Sequence, residues 1–264
     1  MPKTTVATLQ RQKQAGDKIV ALTSYDASFT HLAEQAAVDI LLVGDSLGMI
    51  IQGHTSTLPV TMDDMVYHTA NVARASQHAL VIGDLPFMSY GTPEQALQNA
   101  GRLMQAGGAQ MVKLEGGAPL VPTVRYLTER GIPVCAHLGL LPQSINQLGS
   151  YRVQGREQTA AAQLIEDAEQ MQAAGAQLIV VECIPRALAA TVSKQVQIPV
   201  IGIGAGPDTD GQILVLYDML GISLNKIPRF SHNFLADTGD IAQAIQAYAN
   251  AVRTEEFPTD QHSF

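Results

Sequence analysis

Short apolar runs rich in Val, Ile and Leu recur along the chain, and longer segments with helical periodicity separate them. The runs cover residues 19–23, 40–45, 79–84, 110–115, 132–137, 177–182, 198–203 and, more weakly, 212–217. Buried parallel strands have this continuous apolar character, and helices between successive strands indicate right-handed crossovers. Eight such units in 264 residues predict one domain over residues 1–264, an α/β fold closed into a (β/α)8 TIM barrel.

Helix-start signals agree with this alternation. Thr92 and Pro93 supply an N-cap and a first-turn proline for a helix that we expect to stop near Gly107, and Thr61 opens another helix in the same way. The longest irregular section follows residue 137 and predicts an extended loop before a helix that begins near Gln158. Residues 258–264 are expected to form a surface tail unless a neighbouring subunit holds them.

One segment of the chain is repeated. MQAGGAQMVKLE at 104–115 matches MQAAGAQLIVVE at 171–182, which suggests a βα unit used more than once. The match gives Glu115 and Glu182 equivalent positions at the ends of two strands.

Composition narrows the class of ligand. A formal net charge of −8 and a pI near 5.3 argue against nucleic acid or an anionic membrane as a partner, and favour a small soluble ligand. The N-terminus lacks the apolar core of a signal peptide, and no run reaches 18 apolar residues, so we expect a cytoplasmic protein. Cys135 and Cys183 are expected to be reduced, buried thiols.

Polar side chains stand at the ends of five predicted strands, where a TIM barrel has its mouth. Ionisable groups there need a partner, a proton or a metal. They could pair with one another or cap helices, but five together favour a functional site. Oxygen-rich sets of this kind suit Mg²⁺, which keeps several waters and takes one or two carboxylates. The strand-end residues are Asp45, Asp84, Glu115, His137 and Glu182, with Lys113 on the same face as Glu115; Asp45 and Asp84 are the first choices as metal ligands, with Glu115 as a direct or water-mediated third.

Two glycine-containing motifs offer other interpretations. VGDSLG at 43–48 could make Ser46 the nucleophile of a GDSL-type acyl hydrolase, but the motif follows the second strand, and Asp260 and His262 are too close together for the expected DxxH segment. IGIGAGPDTDGQ at 201–212 could bind a phosphate group. No Lys or Arg lies near it in sequence, so a tight turn is favoured.

Several long motifs in order resemble the ketopantoate hydroxymethyltransferase family. They are VGDSLGMIIQG (43–53), HTSTLPVTMDDMVYHT (54–69), GDLPFMSY (83–90), VKLEGG (112–117), CAHLGLLPQS (135–144), YRVQGR (151–156), VVEC (180–183), IPVIGIGAG (198–206) and DGQILV (210–215). The resemblance implies a barrel of the phosphoenolpyruvate/isocitrate lyase type. It implies a Mg²⁺-dependent transfer of a one-carbon unit from 5,10-methylenetetrahydrofolate to 3-methyl-2-oxobutanoate in pantothenate biosynthesis, by a homo-oligomer that is commonly a decamer.

The resemblance also implies roles for the strand-end residues. Glu182 is expected to accept the proton, and His137 to line the site. The metal site would comprise Asp45, Asp84 and Glu115, and the oxoacid would contact Asp45, Ser46, Asp84 and Lys113. A related Mg²⁺-dependent 2-oxoacid C–C lyase would use much the same ring and remains the alternative; a non-catalytic scaffold would have little use for it.

Overall fold

The computed structural model describes residues 2–224 and 226–264 and contains a closed barrel of eight parallel strands in sequential order. The strands are β1 Ile19–Thr23, β2 Ile40–Val43, β3 Leu80–Asp84, β4 Met111–Glu115, β5 Val134–Gly139, β6 Leu178–Glu182, β7 Val200–Ile203 and β8 Gly211–Leu214. β1 pairs with β8 and closes the ring. The predicted (β/α)8 barrel is therefore confirmed.

Helices connect the strands and cover the outside of the barrel. The α-helices are α1 Val6–Ala15, α2 Ala27–Gln35, α3 Leu47–Ile50, α4 Met62–Ala75, α5 Pro93–Gln105, α6 Val121–Thr128, α7 Ile145–Leu148, α8 Gln158–Ala173, α9 Arg186–Gln195, α10 Leu216–Met219, α11 Phe234–Thr238 and α12 Ile241–Arg253, with 3₁₀ turns at Ala118–Leu120, Pro142–Ser144 and Asp260–His262. The Thr61 and Thr92 caps form as predicted, and α8 begins at Gln158. Within the described residues, no helix is long and apolar enough to cross a membrane.

Nearly all strand residues are buried, because the helices cover one side of the sheet and side chains fill the other. Cys135 and Cys183 are buried free thiols, as expected.

The amino-terminal end of the barrel is fastened by α1. The buried Leu9 packs into the core, and the Lys13 ammonium donates to the Ser193 carbonyl at 2.8 Å, the Ile198 carbonyl at 2.9 Å and Asp210 Oδ2 at 2.8 Å. Ile198 and Asp210 stand just before β7 and β8, so one side chain ties the first helix to the last two strands.

The repeated segment has a structural counterpart in two glutamines. Gln110 Oε1 accepts from the Val81 N–H at 3.1 Å, and Gln177 Oε1 accepts from the Val134 N–H at 3.2 Å. In both cases the glutamine N–H also donates back to the carbonyl of the same valine, at 2.9 Å. Each repeat therefore secures the start of the preceding strand.

The expectation of a surface tail at residues 258–264 is only partly right: residues 259–261 are exposed, but the segment is anchored to the rest of the chain. The Arg186 N–H donates to the Phe264 carbonyl at 2.8 Å, Arg229 Nε donates to the Gln261 carbonyl at 2.9 Å, and Ser263 is buried. The segment folds back towards the barrel mouth because its partners come from α9 and from the stretch before α11, far away in sequence.

Candidate active site

Strand register brings the predicted polar residues together at the carboxyl end of the barrel. Asp84 on β3 lies opposite Lys113 on β4, and Glu115 lies opposite His137 on β5. His137 in turn reaches Glu182 on β6. Adjacent parallel strands present paired residues to the same side of the sheet, so these side chains converge in the mouth. Together with Asp45, they are called the acidic cluster below.

Lys113 lies at the centre of the acidic cluster. Its Nζ is 3.0 Å from Asp84 Oδ1, 3.7 Å from Glu115 Oε1 and 3.2 Å from His137 Nδ1. Burial would lower the pKa of Lys113, but the charges of Asp84 and Glu115 outweigh burial and raise this pKa. Lys113 is therefore a fixed ammonium that offsets part of the surrounding negative charge.

His137 links two carboxylates. Its Nδ1 is 3.3 Å from Glu115 Oε1, and its Nε2 is 3.1 Å from Glu182 Oε2. The contact at Nε2 is a close approach of charges rather than a well-directed hydrogen bond, since this atom lacks a hydrogen-bond partner. Burial and the charge of Lys113 lower the pKa of His137, but its close contacts with the Glu115 and Glu182 carboxylates prevail and raise this pKa to about 9. The raised pKa favours the protonated ring at neutral pH.

Asp45 follows β2 and a glycine that allows close approach. The Asp45 N–H donates to Asp84 Oδ2 at 3.1 Å. A side chain at Gly44 would put its Cβ 2.8 Å from Ser46 Oγ and 3.5 Å from Asp84 Oδ2, so a larger residue here would crowd both side chains. Burial, with the nearby charges of Glu115 and Asp84, raises the pKa of Asp45 well above its usual range. The cluster therefore holds more negative charge than its own cations offset.

No sequence pattern marked Gln143, which lies in the 3₁₀ turn after β5. Its Nε2 donates to Asp45 Oδ2 at 2.8 Å and to the Leu85 carbonyl at 3.0 Å. Its backbone N–H donates to Glu115 Oε2 at 3.0 Å, and its Oε1 accepts from the Tyr90 hydroxyl. This buried glutamine orients two carboxylates at once.

Ser46 lies at the edge of the cluster and is bonded to a phenol. Its Oγ is 2.9 Å from the Tyr25 hydroxyl. His262, the histidine that the hydrolase interpretation would need, is bonded to Thr259 at 2.9 Å. This pairing fits a substrate-binding hydroxyl and weakens the serine-nucleophile hypothesis.

The acidic cluster has the oxygen donors that Mg²⁺ prefers. Across residues 2–224 and 226–264, no three His, Cys, Asp or Glu side chains already converge as a metal cage. Mg²⁺ does not require such a cage, because it keeps waters and takes one or two carboxylates. Asp84 Oδ1 is buried without a well-directed hydrogen bond. The Lys113 ammonium lies 3.0 Å from this oxygen, and a buried carboxylate in such a setting is stabilised by cations. The donor set therefore fits the metal, while the individual ligands remain predictions.

The glycine-rich segment 201–212 makes structural contacts. Lys18 Nζ donates to the carbonyls of Pro207 at 2.9 Å and Thr209 at 2.8 Å, and Arg186 pairs with Asp208 at 2.5 Å. These cations, which are distant in sequence, stabilise the turn itself, so the structure favours the tight-turn interpretation over a phosphate site.

A cavity of about 1310 Å³ opens above the acidic cluster. The cluster lies on the side formed by β2 to β6. The other side is formed by β7, β8 and later residues, which include Asp218, Phe230 and Phe264. The sequence pattern had not marked any of these three as site residues.

Comparison with solved structures shows the same fold in enzymes of distant sequence. A 2,3-dimethylmalate lyase, described as a PEP mutase/isocitrate lyase superfamily member, matches with a TM-score of 0.59 and 20% identity, over 83% of this chain and 82% of that chain. A phosphonopyruvate hydrolase matches with a TM-score of 0.62 and 13% identity, over 96% and 88%. At these identities the likeness concerns the fold alone, and it agrees with the barrel type expected from the sequence.

Comparison of sequences finds much nearer relatives. A family model described as ketopantoate hydroxymethyltransferase matches residues 3–260. The 3-methyl-2-oxobutanoate hydroxymethyltransferase of Nitrosococcus oceani is 58% identical over 264 residues, and that of Shewanella loihica is 59% identical over 264 residues. Each alignment covers 100% of both chains.

Proposed function

The chain belongs to the ketopantoate hydroxymethyltransferase family, and we infer that it transfers a hydroxymethyl group to 3-methyl-2-oxobutanoate to give 2-dehydropantoate in pantothenate biosynthesis. The observation that carries this inference is the full-length identity of 58% to an enzyme of that name. It also favours the transferase over a related C–C lyase, since the lyase match is 20% identical. We propose 5,10-methylenetetrahydrofolate as the one-carbon donor and Mg²⁺ as the cofactor.

Asp45 and Asp84 would hold Mg²⁺, with Glu115 as a direct or water-mediated third ligand. When bound, the ion supplies Lewis-acid chemistry that makes the C3–H of a 2-oxoacid more acidic. Charge supports this assignment. When all four carboxylates of the cluster are ionised, Lys113 and protonated His137 leave two negative charges, which matches a divalent cation.

Glu182 is our candidate for the base. Its side chain is 15% exposed, whereas those of Asp84 and Glu115 are 3% exposed, so it is the more accessible to a ligand in the cavity. The His137 imidazolium holds it by a 3.1 Å contact. A Glu182 oxygen would take the C3 proton, and the electron pair of that C–H bond would form the new C–C bond to the one-carbon unit. If that unit arrives as formaldehyde, the new alkoxide takes the proton back from Glu182. If it arrives as an iminium, water supplies the hydroxyl oxygen while the bond from the methylene carbon to the folate nitrogen breaks, and tetrahydrofolate leaves with a proton on that nitrogen.

Lys113 and Ser46 would bind and orient the oxoacid. The Lys113 ammonium stabilises negative charge that develops on the substrate as the proton leaves, because it is fixed in a buried site where such interactions are strong. Ser46 would donate to the substrate carboxylate while its oxygen accepts from the Tyr25 hydroxyl, a pair now 2.9 Å apart. Asp45, Asp84 and His137 complete the set that we propose to contact the oxoacid.

Proton NMR of 3-methyl-2-oxobutanoate in D₂O tests this function. We expect loss of the C3–H signal with the wild-type protein and Mg²⁺, and no loss in Glu182→Gln, which keeps the shape but cannot accept the proton. Glu166→Gln, an exposed change on α8, is the matched control. Normal exchange in Glu182→Gln would remove Glu182 from the base role, and no exchange in the wild type would reject the proposed chemistry.

We also propose a cytoplasmic homo-oligomer, commonly a decamer in this family. Large apolar side chains on the surface of the single chain support assembly, among them Tyr67 at 66%, Met88 at 63% and Leu224 at 75% exposure. Light scattering after size-exclusion chromatography tests it, and a monomer at micromolar concentration would contradict it.

A further inference from the structure

The cavity at the barrel mouth is larger than one small oxoacid needs. Its volume of about 1310 Å³ exceeds the roughly 300–1,000 Å³ of a pocket for one drug-sized ligand. The acidic cluster uses the side formed by β2 to β6. The opposite side, formed by β7, β8 and the residues after them, therefore has room for a second ligand.

Two phenylalanines give this opposite side an apolar character. Phe230 and Phe264 both line the cavity, and both pack against Gly204, where a Cβ would lie 2.9 Å from the Phe230 ring and 3.2 Å from that of Phe264. The backbone contact of Arg186 with the Phe264 carbonyl at 2.8 Å holds the second ring in place. A planar heteroaromatic ligand would find a preformed packing surface here.

A buried carboxylate lies on the same side. Asp218, in α10 directly after β8, is 8% exposed and lines the cavity. It accepts from the Ser223 hydroxyl, which leaves further acceptor capacity. Burial raises the pKa of Asp218, with the negative charge of Glu182 adding to the effect. A carboxylate in such a setting is stabilised by N–H donors, and best by a pair of them.

Two cations line the same cavity. Lys226 and Arg229 are exposed, and Arg229 lies over the Phe264 ring, with 5.5 Å between its guanidinium carbon and the ring centroid. In a chain with net charge −8, cations beside an aromatic wall favour a ligand that has both a flat ring and an anionic end.

We propose that the pterin of the one-carbon donor binds on this side of the mouth. Its ring would pack against Phe230 and Phe264, its N3–H and 2-amino group would donate to Asp218, and its glutamyl carboxylates would lie near Lys226 and Arg229. This assignment rests on the function proposed above, in which the donor is a reduced folate. It gives Phe264 a part in the site, within the segment 258–264 that the sequence had suggested to be a surface tail.

Calorimetry with two probes tests the assignment. Tetrahydrofolate contains the pterin and the glutamyl tail, whereas 6-methyltetrahydropterin lacks the tail. We expect Asp218→Asn to lower the affinity for both probes by about tenfold or more, because a charge-assisted pair of hydrogen bonds is lost. Lys226→Ala should lower the affinity for tetrahydrofolate alone. Asp237→Asn, at an exposed aspartate that pairs with His232, is the matched control and should bind both probes as the wild type does.

Binding of 3-methyl-2-oxobutanoate, on the other side of the cavity, reports whether each variant is folded. If Asp218→Asn fails this check, Phe264→Ala replaces it. We expect that variant to lower the affinity for both probes by about fivefold or more, since stacking on an aromatic ring is lost. Unchanged pterin affinity in a folded Asp218→Asn would overturn the assignment. The assignment would also be overturned if Arg152→Ala, and not Asp218→Asn, lost pterin affinity, because that result would place the pterin at the loop after β5. Failure of the proposed function itself would show separately, as absence of C3–H exchange in the wild type.

Discussion

Replacing Gln143 with alanine is expected to weaken Mg²⁺ binding without unfolding the protein. The change removes the two hydrogen bonds that Nε2 donates, to Asp45 Oδ2 at 2.8 Å and to the Leu85 carbonyl at 3.0 Å. It also removes the hydrogen bond that Oε1 accepts from the Tyr90 hydroxyl. The backbone donation to Glu115 at 3.0 Å survives. Asp45 therefore loses its side-chain donor, while the other proposed ligands keep theirs.

The magnitude follows from these contacts. A hydrogen bond to a charged group contributes about 1.5–3 kcal/mol, and losing an outer partner of a metal ligand typically costs about 10–100-fold in metal affinity. We expect a loss of Mg²⁺ affinity in that range. The unfolding free energy should fall by about 2–3 kcal/mol, because two further buried partners lose a bond and water can occupy the space that the amide vacates.

The assay is competition of Mg²⁺ against Mn²⁺, followed by electron paramagnetic resonance, with C3–H exchange measured across a Mg²⁺ titration. Exchange in Gln143→Ala should recover substantially at high Mg²⁺. Gln147→Ala, at an exposed glutamine four residues further on, serves as the control and should titrate as the wild type does. A wild-type Mg²⁺ midpoint in Gln143→Ala would refute the proposed orienting role, as would a folded variant whose lost exchange no Mg²⁺ concentration restores.

Three further predictions concern the metal, a glycine and a buried acid. EDTA should abolish C3–H exchange and added Mg²⁺ should restore it; exchange that persists in EDTA would contradict a metal requirement. Gly139→Ala should lower the unfolding free energy in urea by about 1–3 kcal/mol and slow C3–H exchange. Gly139 has φ +91°, and a Cβ there would lie 2.3 Å from the Glu182 carbonyl. An unchanged urea midpoint would contradict this prediction. Burial raises the pKa of Glu34, but hydrogen bonds led by the Ala79 N–H and the Ser76 hydroxyl lower this pKa overall. The stability that the Glu34 carboxylate supplies is therefore present above about pH 4.5. It is lost as the pH falls through the lower pKa of the folded state. Glu34→Gln should thus cost about 1–3 kcal/mol at pH 7 and progressively less below pH 4.5, as measured by urea unfolding; a constant difference across that range would contradict the assignment.

The barrel and most of its acidic cluster could be predicted because each depends on local pattern. Continuous apolar runs marked the strands, and the polar residue at the end of each run had to lie at the mouth once the strands were parallel. Asp84, Glu115 and His137 are at or near strand ends, and Glu182 ends β6. For these residues, position along a strand already determines position in space.

The remaining site residues could not be predicted because they depend on loop paths. Gln143 reaches Asp45 across 98 positions of sequence, and nothing in LPQS distinguishes this glutamine from a surface one. Phe264 enters the mouth only because Arg186 and Arg229 hold its segment. In sequence, Asp218 is indistinguishable from an ordinary acidic residue in the first turn of a short helix. In each case the partner is a backbone group or a distant side chain, and no periodicity in the sequence encodes it.

The attachment of α1 by Lys13 bears on how the barrel is assembled. Its acceptors lie 180–197 positions further along the chain, and contacts between such distant segments form slowly because of the entropy of closing a long loop. The acidic cluster, by contrast, is complete in sequence at residue 182. A growing chain should therefore contain the whole acidic cluster while β1 and β7 are still unpaired sheet edges, which are prone to aggregate with other chains. Synthesis of β8 and docking of Lys13 would end that exposure together.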